Sequence, residues 1–337
     1  MKIAVDAMGG DYGPNVVVEG AVYASREFNV EVLLVGVEDL IKREFDRIDH
    51  SNSRVTIINA AESIHMSEGL LSFRRKKRSS IQVGTQLVKE READAFVSNG
   101  NTAAVVYISK RVLGALEGVE RPALSLLVPT LSGLSLLIDV GANANCQPHH
   151  LFQFAVMGKT FMENILSMES PRIGLMSIGE ERSKGNDLTK ETYSRLEAAP
   201  LNFIGNVEGK DIFSGKADVI VSDGFTGNVA LKVTEGVVEN FSRIARMEIM
   251  QNIFAKIGFF LMKRNIKKLY KRMDYAEYGG AHLLGVNGVC IIGHGRSNPV
   301  AVKNAMRVAK DFVVNRVQDK IRNEIGRQAK FFQEVKV

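Results

Sequence analysis

The sequence predicts an α/β protein with a doubly wound, largely parallel sheet in two lobes, and two observations carry that expectation. Ten short runs rich in β-branched and aliphatic residues recur along the chain, and most are separated by longer stretches of helical period. Apolar runs that are nearly continuous, with helices between them, fit strands buried on both faces of a parallel sheet. In order, the runs are KIAV (2–5), VEVLLV (30–35), VTII (55–58), DAFVS (94–98) and LSLLVP (124–129). They continue with LSLLIDV (134–140), RIGLMSI (172–178), NFIG (202–205), DVIVSD (218–223) and VCIIG (289–293). No internal repeat or low-complexity linker marks a boundary. The expected division gives a first lobe of residues 1–140 plus about 290–337, the helix from Pro299 folding back onto it. The second lobe is 141–289, with the active site in the cleft between them.

Composition narrows the class. The 337 residues are 45% hydrophobic and 24% charged, which suits a globular chain with a sizeable core and not a disordered one. Two cysteines, Cys146 and Cys290, give no disulfide framework, and MKIAVD runs directly into a strand without a signal peptide, so a reducing cytoplasm is expected. No apolar run reaches the roughly 18 residues of a membrane span. The chain is therefore expected to be soluble or bound only at a membrane surface. A net charge of +6 is compatible with acidic partners.

In open parallel sheets, ligands bind at the carboxyl ends of strands. The turns there are DAMGGDYGP (6–14), SNGNTA (98–103), DVGANAN (139–145), SIGEERSKGND (177–187), SDGFTGN (222–228) and GHGRSNP (293–299). Each is small, polar and rich in Gly and Asn. Such residues form ordinary turns and helix caps. Six of them on one sheet edge, with Arg182 and Lys184 near, would also gather open backbone N–H groups for a phosphate-sized anion. The binding candidates are Asp6, Gly9, Gly10, Asp11, Asn101, Thr102, Asp139, Asn143, Glu180, Gly185, Asn186 and Gly227. Asp6, Asp11, Asp139 and Asp223 have the chemistry to hold a divalent metal, but caps and loop braces explain them equally well. No metal and no cofactor is expected. A GxSxG elbow, HExxH, an activated cysteine, GxGxxG after the first strand and a GxxxxGK[ST] loop are all missing from the sequence. That leaves chemistry by positioning of an anion.

Seven ordered motifs, IAVDAMGGDYGP, RRKKRSS, GNT, DVGAN, IGEERSKGN, DGFTGNVALK and YGGAHLLGV followed by IIGHG, resemble those of the PlsX family of phosphate acyltransferases from residue 3 to about 300. Asn99, Ala103, Met176, Ser177, His282 and Arg296 differ from the family pattern. They bear on acyl-chain preference more than on reaction type. The resemblance implies a homodimer of two-lobed α/β subunits, with a fold like phosphate acetyltransferases and the isocitrate/isopropylmalate dehydrogenase group. It also implies acyl transfer from acyl carrier protein to inorganic phosphate, giving acyl phosphate for glycerol-3-phosphate acylation. On chemical grounds Lys184 is expected to hold phosphate or the oxyanion, and Asn228 to donate through its amide. Asp223 and Asp139 are expected to orient Lys184 and the loops. His294 is a candidate to protonate the leaving thiolate, against the plainer reading of a turn histidine.

Two surface features complete the reading. RRKKR, Arg74, Arg75, Lys76, Lys77 and Arg78, is either a solvated loop or a dock for acidic acyl carrier protein; no nucleic-acid motif accompanies it. Residues 249–273 hold seven Lys and Arg and no acidic residue before Asp274. A break in helical register predicts two short amphipathic helices turning near Phe259 to Arg264. Ile257, Phe259, Phe260 and Leu261 would meet an anionic membrane surface, near the glycerol-3-phosphate acyltransferase of the membrane as a further partner; otherwise the pair is a core or dimer-packing hairpin. Two alternatives to acyl-carrier chemistry stay open: a short-chain acyl-CoA:phosphate acyltransferase, and a non-catalytic membrane-surface adaptor for acyl carrier protein.

Overall fold

Among the described residues, eleven strands make one hydrogen-bonded sheet and eleven α-helices accompany it, of which α8, beyond its first turn, and α9 stand largely exposed. The structure is a computed structural model that describes residues 1–273 and 278–335; the side chains of 267–273 and 329–335 lie outside the description. The strands are β1 (Lys2–Asp6), β2 (Glu31–Gly36), β3 (Val55–Asn59), β4 (Ala95–Ser98), β5 (Ala123–Thr130), β6 (Gly133–Ile138), β7 (Ile173–Met176), β8 (Phe203–Val207), β9 (Val219–Val221), β10 (Ala281–Leu284) and β11 (Val289–Ile292). The helices are α1 (Pro14–Phe28), α2 (Glu38–Phe45), α3 (Leu70–Arg75), α4 (Ser80–Lys89), α5 (Thr102–Leu113), α6 (Pro148–Ile165), α7 (Asp187–Ala198), α8 (Gly224–Gln251), α9 (Ile253–Met273), α10 (Pro299–Val314) and α11 (Val317–Val335). All ten expected strands form, to within two residues at either end; β10 is the addition.

Local chemistry sets the handovers from strand to helix. Asn101, Asn186, Asp223 and Asn298 cap α5, α7, α8 and α10 by accepting first-turn N–H groups, and proline opens α1, α6 and α10. Side chains alternate across the sheet. Ile3, Val5, Val32 and Leu34 belong to one buried cluster with α1, α6, α10 and α11 residues, whereas Ala4, Leu33, Val35 and Phe96 join the other with α4 and α5. α10 packs on α1, where a Cβ on Gly20 would come within 2.6 Å of the Val302 Cβ.

The strand order is β3-β2-β1-β4-β11-β10-β5-β6-β9-β7-β8. β1 to β4 and β11 are mutually parallel, as are β6, β9, β7 and β8. Between these sets, β10 is antiparallel to both β11 and β5, and β5 is antiparallel to β6. The two parallel sets therefore run in opposite directions. This corrects the expectation that all six polar turns share one edge: those after β1, β4 and β11 lie on one edge, and those after β6, β7 and β9 on the other.

A second correction concerns 249–273. The helical break falls at Asn252, whose extended backbone (φ −118°, ψ 129°) separates α8 from α9, and α9 runs unbroken through Phe259 to Arg264. Asn252 also accepts the Phe254 N–H, an asparagine cap that outweighs the change of apolar face further on. The register break is read from Ile266, Leu269, Tyr270 and Met273 lying off the face of Ile249, Ile253, Ile257, Phe260 and Leu261, and the side chains of Leu269, Tyr270 and Met273 lie outside the described residues.

Candidate functional site

The first cluster forms where β6, β9 and β7 end side by side. Asp139, directly after β6, is fully buried and accepts five hydrogen bonds. Leu124 N, Gly141 N and Ala142 N reach Oδ1 at 3.0, 3.1 and 2.9 Å, and Asn143 N and Nδ2 reach Oδ2 at 2.8 and 2.9 Å. Burial raises its pKa and these donors oppose the rise. The α8 N-terminus seats directly on this turn. Gly224 N donates to Asn143 O at 2.8 Å, and a Cβ on Gly227 would fall 1.9 Å from Asp139 O, so only glycine permits the contact. Asp223 accepts from Phe225 N, Thr226 N and Thr226 Oγ1. Both aspartates thus brace the backbone, and among the described residues neither bonds to Lys184.

What these braces leave available is specific. Asn228, on the first turn of α8, lies over Gly141, a Cβ there being 3.6 Å from its Cγ, and its amide is exposed. Lys184 is exposed after β7, and none of the hydrogen bonds or ion pairs among the described residues engages its ammonium. Neighbouring charges are engaged: Glu180 pairs with Lys216 at 3.0 Å, and Arg182 with Glu197 at 2.9 Å while lying over Tyr193. Gly185 has φ +99°, and Asn186 caps α7, which turns the chain just past Lys184.

The second cluster is on the opposite edge. Asp6 is buried, accepts from Ser98 Oγ at 2.7 Å and Met8 N at 3.1 Å, and has a pKa raised by burial. Asp11 N donates to Gly295 O at 2.7 Å, and a Cβ on Gly9 would meet Gly100 N at 2.6 Å, so the turns after β1, β4 and β11 are stitched together. Asn101 is committed inside the fold: Oδ1 caps α5, and Nδ2 donates to the carbonyls of Met66 and Glu68. Thr102 is exposed on the first turn of α5. His294 Nδ1 accepts from Arg296 N at 3.0 Å, which leaves the proton of a neutral ring on Nε2.

The two clusters are separate but not remote. Ile138, Ser125, His282 and Ile291 form one row across β6, β5, β10 and β11. From Asp139 to Gly293 is thus about 17 Å, and to Asn99 about 22 Å, at about 4.8 Å per strand and 3.3 Å per residue. α8 bridges them, rising about 16 Å from Asn228 to Glu239, and Glu239 lies 3.6 Å from Arg296. Of the four catalytic candidates, Lys184, Asn228 and Asp223 follow the adjacent strands β7 and β9 on one edge, and His294 stands with the other cluster. An open hollow lined by Lys2, Glu31, Thr56, Arg91 and Asp94 lies at the opposite ends of β1 to β3, away from every candidate.

The basic run flanks the second cluster, because Asn101 ties the 65–68 loop to it. Its members are not equivalent. Lys76 is bound to Glu68 Oε1 at 2.6 Å and Ser63 O at 2.7 Å, and the His65 N–H, with the Lys76 ammonium, holds the Glu68 pKa down to about 2. Arg74 donates to Tyr107. Arg75, Lys77 and Arg78 present exposed side chains.

Two groups escape a reading of the sequence alone. Asn99, directly after β4, is buried. Glu120, His149 and His150 gather at the start of α6, close enough to hold a metal, their only signal being QPHH before a helix. His150 Nδ1, however, accepts from Gln147 N, so its Nε2 carries the proton and faces Glu120, and its ring serves the α6 capping box with Gln147. Neither cysteine is activated: burial pushes Cys146 up to about 11 and Cys290 up to about 12.

Comparison with known proteins places this geometry in context. Residues 1–320 match the family model described as fatty acid synthesis protein. The phosphate acyltransferase of Desulfitobacterium hafniense (strain DSM 10664 / DCB-2) is 49% identical over 97% of this chain and 98% of its own length. That of Pelotomaculum thermopropionicum is 46% identical over 96% and 95%. A phosphotransacetylase from Streptococcus pyogenes shares the fold with a TM-score of 0.62 at 18% identity, over 93% of this chain and 94% of its own. A branched-chain phosphotransacylase from Enterococcus faecalis V583 does so at 0.56 and 13%, over 93% and 99%. The chain belongs to the fatty acid synthesis protein family, the PlsX family that its motifs resemble.

Proposed function

We propose that this chain transfers a long-chain fatty acyl group from acyl carrier protein to inorganic phosphate, releasing acyl phosphate for phospholipid synthesis. The observation that carries the reading is the uncommitted Lys184 ammonium and Asn228 amide on turns that emerge from adjacent strands, over backbone braced by Asp139 and Asp223. Phosphate needs no base to act as a nucleophile; it needs to be stripped of water and aimed. Lys184 holds the dianion, and a phosphate oxygen bonds to the thioester carbon. Asn228 Nδ2 donates to the resulting oxyanion, a preorganised contact worth about 3 kcal/mol. The carbon–sulfur bond then breaks, and the sulfur leaves as thiolate and takes its proton from solvent. Both aspartates stay turned away from the dianion, as like charge requires.

Partners follow from surfaces. Arg75, Lys77 and Arg78 suit an acidic carrier protein. Exposed Val229, Val233, Val237 and Phe241 on α8 supply an apolar stripe for the homodimer. No helix among the described residues is long and apolar enough to cross a membrane. The α8–α9 turn instead extends about 18 Å beyond Glu239, with Met250, Ile253 and Phe254 exposed around it and Ile257, Phe260 and Leu261 one to two turns along α9. We read it as a peripheral contact with anionic lipid, on the cytoplasmic side and near the next acyltransferase.

The deciding assay supplies phosphate with palmitoyl-acyl carrier protein, palmitoyl-CoA or acetyl-CoA and traps acyl phosphate with hydroxylamine. Turnover with the acyl carrier substrate is expected. Turnover with acetyl-CoA alone would replace this reading by the short-chain enzyme, and none with any donor would leave a non-catalytic adaptor.

A further inference from the structure

The turns after β1, β4 and β11 enclose one buried side chain to which the fold gives nothing to bind. Asn99 is 3% exposed. A Cβ on Gly10 would lie 3.7 Å from its Cβ, and a Cβ on Gly293 would fall 2.1 Å from its Oδ1 and 3.4 Å from its Nδ2. The amide therefore occupies the space between these two glycine turns. Among the described residues no hydrogen bond reaches either amide atom, and neither is sealed from solvent. Its neighbours differ: Asp6, Ser98 and Asn101 all spend their polar atoms on the fold itself. A buried amide without a partner destabilises a protein unless something outside the fold completes it.

The surroundings define what completes it. α1, α5 and α10 follow these three turns, so the positive ends of three helix dipoles lie at this edge of the sheet, α1 and α10 on one face and α5 on the other. Gly9, Gly10, Gly100, Gly293 and Gly295 add no side chain of their own to the space between the turns, where Asp6 Oδ2, already engaged by Ser98, and Asp11 Oδ1 also lie, and Gly293 packs against the Asn99 amide. We propose that Asn99 is a binding residue of this cradle, its Nδ2 donating to a phosphoryl oxygen.

This rests on the phosphate acyltransferase reading, which offers two sources of that oxygen. One is inorganic phosphate. The other is the phosphodiester of the pantetheine arm that carries the acyl group. A cradle about 17–22 Å from Asp139, on the strand spacing used above, suits an arm of about fourteen bonds, which spans about 17 Å at the extended-chain rise of about 1.2 Å per bond.

Asn99→Ala tests the inference in the full-length protein. Asn99 makes no internal hydrogen bond, so the melting temperature without phosphate should hold or rise. The KM of one substrate should rise about five- to tenfold, the worth of one neutral hydrogen bond. A rise for phosphate alone assigns the free ion. A rise for acyl carrier protein that disappears with acyl-pantetheine, which lacks the phosphodiester, assigns the arm. Unchanged KM for both, or a lower melting temperature with unchanged kinetics, overturns the proposal. Protection by inorganic phosphate against thermal unfolding, measured in a Lys184→Ala background so that the other cluster does not contribute, reads the cradle even if no donor turns over: loss of protection on adding Asn99→Ala supports it, and undiminished protection refutes it.

Discussion

Replacing His282 by leucine should stabilise the protein at neutral pH and remove much of its sensitivity to acid. The ring is completely buried on β10, stacked on Phe312 (centroids 5.2 Å apart, planes at 9°) and tilted against Phe161 at 5.0 Å. Among the described residues neither ring nitrogen has a well-formed hydrogen bond. Burial lowers its pKa to about 3, and the Ser125 backbone offsets little of that. A histidine with a folded pKa below its unfolded value of about 6.5 binds fewer protons when folded, so stability is lost as pH falls from 6.5 towards 3. From these two values the loss is about 2 kcal/mol at pH 5 and about 3 kcal/mol at pH 4. At pH 7 an unsatisfied buried polar group costs about 1–3 kcal/mol, which leucine removes. Thermal melts of both proteins at pH 7, 5 and 4 isolate the ring by subtraction, the acid-dependent part at pH 5 being about 3 °C. Parallel decline of wild type and His282→Leu would refute the reasoning, because some other group would then carry the acid dependence.

Other perturbations address the proposed chemistry. Lys184→Ala should cut acyl-phosphate formation on the order of 10²- to 10³-fold with an unchanged melting temperature, since no described hydrogen bond or ion pair holds the ammonium; near-normal turnover removes Lys184 from the reaction. Reversing Arg75, Lys77 and Arg78 to glutamate, while sparing Lys76 because it braces Glu68, should slow association with acyl carrier protein, and added salt should mimic the change in stopped-flow traces. Ile253→Glu with Phe254→Glu should release the protein from anionic vesicles in flotation, because each apolar side chain inserted contributes roughly 1.5–3 kcal/mol; equal flotation of the variant makes this turn a packing element.

Much of the site was readable because its residue types are forced by local geometry. Strand runs show in the β-branched pattern, and Asn or Asp at four helix starts shows in the capping chemistry. Gly227 reads in the sequence as an anion-binding glycine, whereas in the fold its hypothetical Cβ falls 1.9 Å from Asp139 O, so glycine there serves the packing of two turns. Whether a polar side chain is available or already engaged was not readable. Asn101, Asn143 and Asn228 look alike in sequence. Asn101 and Asn143 bond to carbonyls of loops 33–35 and 21 residues away, whereas Asn228 stays exposed. Such partners are set by tertiary packing and leave no trace at the residue itself.

The direction of the sheet was different, because its signal was present in the spacing. Only four residues separate LSLLVP (124–129) from LSLLIDV (134–140), and parallel neighbours need a crossover of about a dozen or more. Two adjacent strands so closely spaced must form an antiparallel hairpin, and β5 and β6 do. β10 gave a weaker cue: it has four residues and follows Gly279 and Gly280, both at positive φ. Inserted antiparallel between β11 and β5, it leaves the β5–β6 reversal as the step that turns β6, β9, β7 and β8 against β1 to β4 and β11. The carboxyl-end rule for ligand sites then applies twice, once to each set. The single anion site expected over six turns becomes two candidate three-turn sites, joined by a sheet only four residues deep at β10 and β11 and by the first half of α8. A substrate that needs both must be extended or bring two anionic groups.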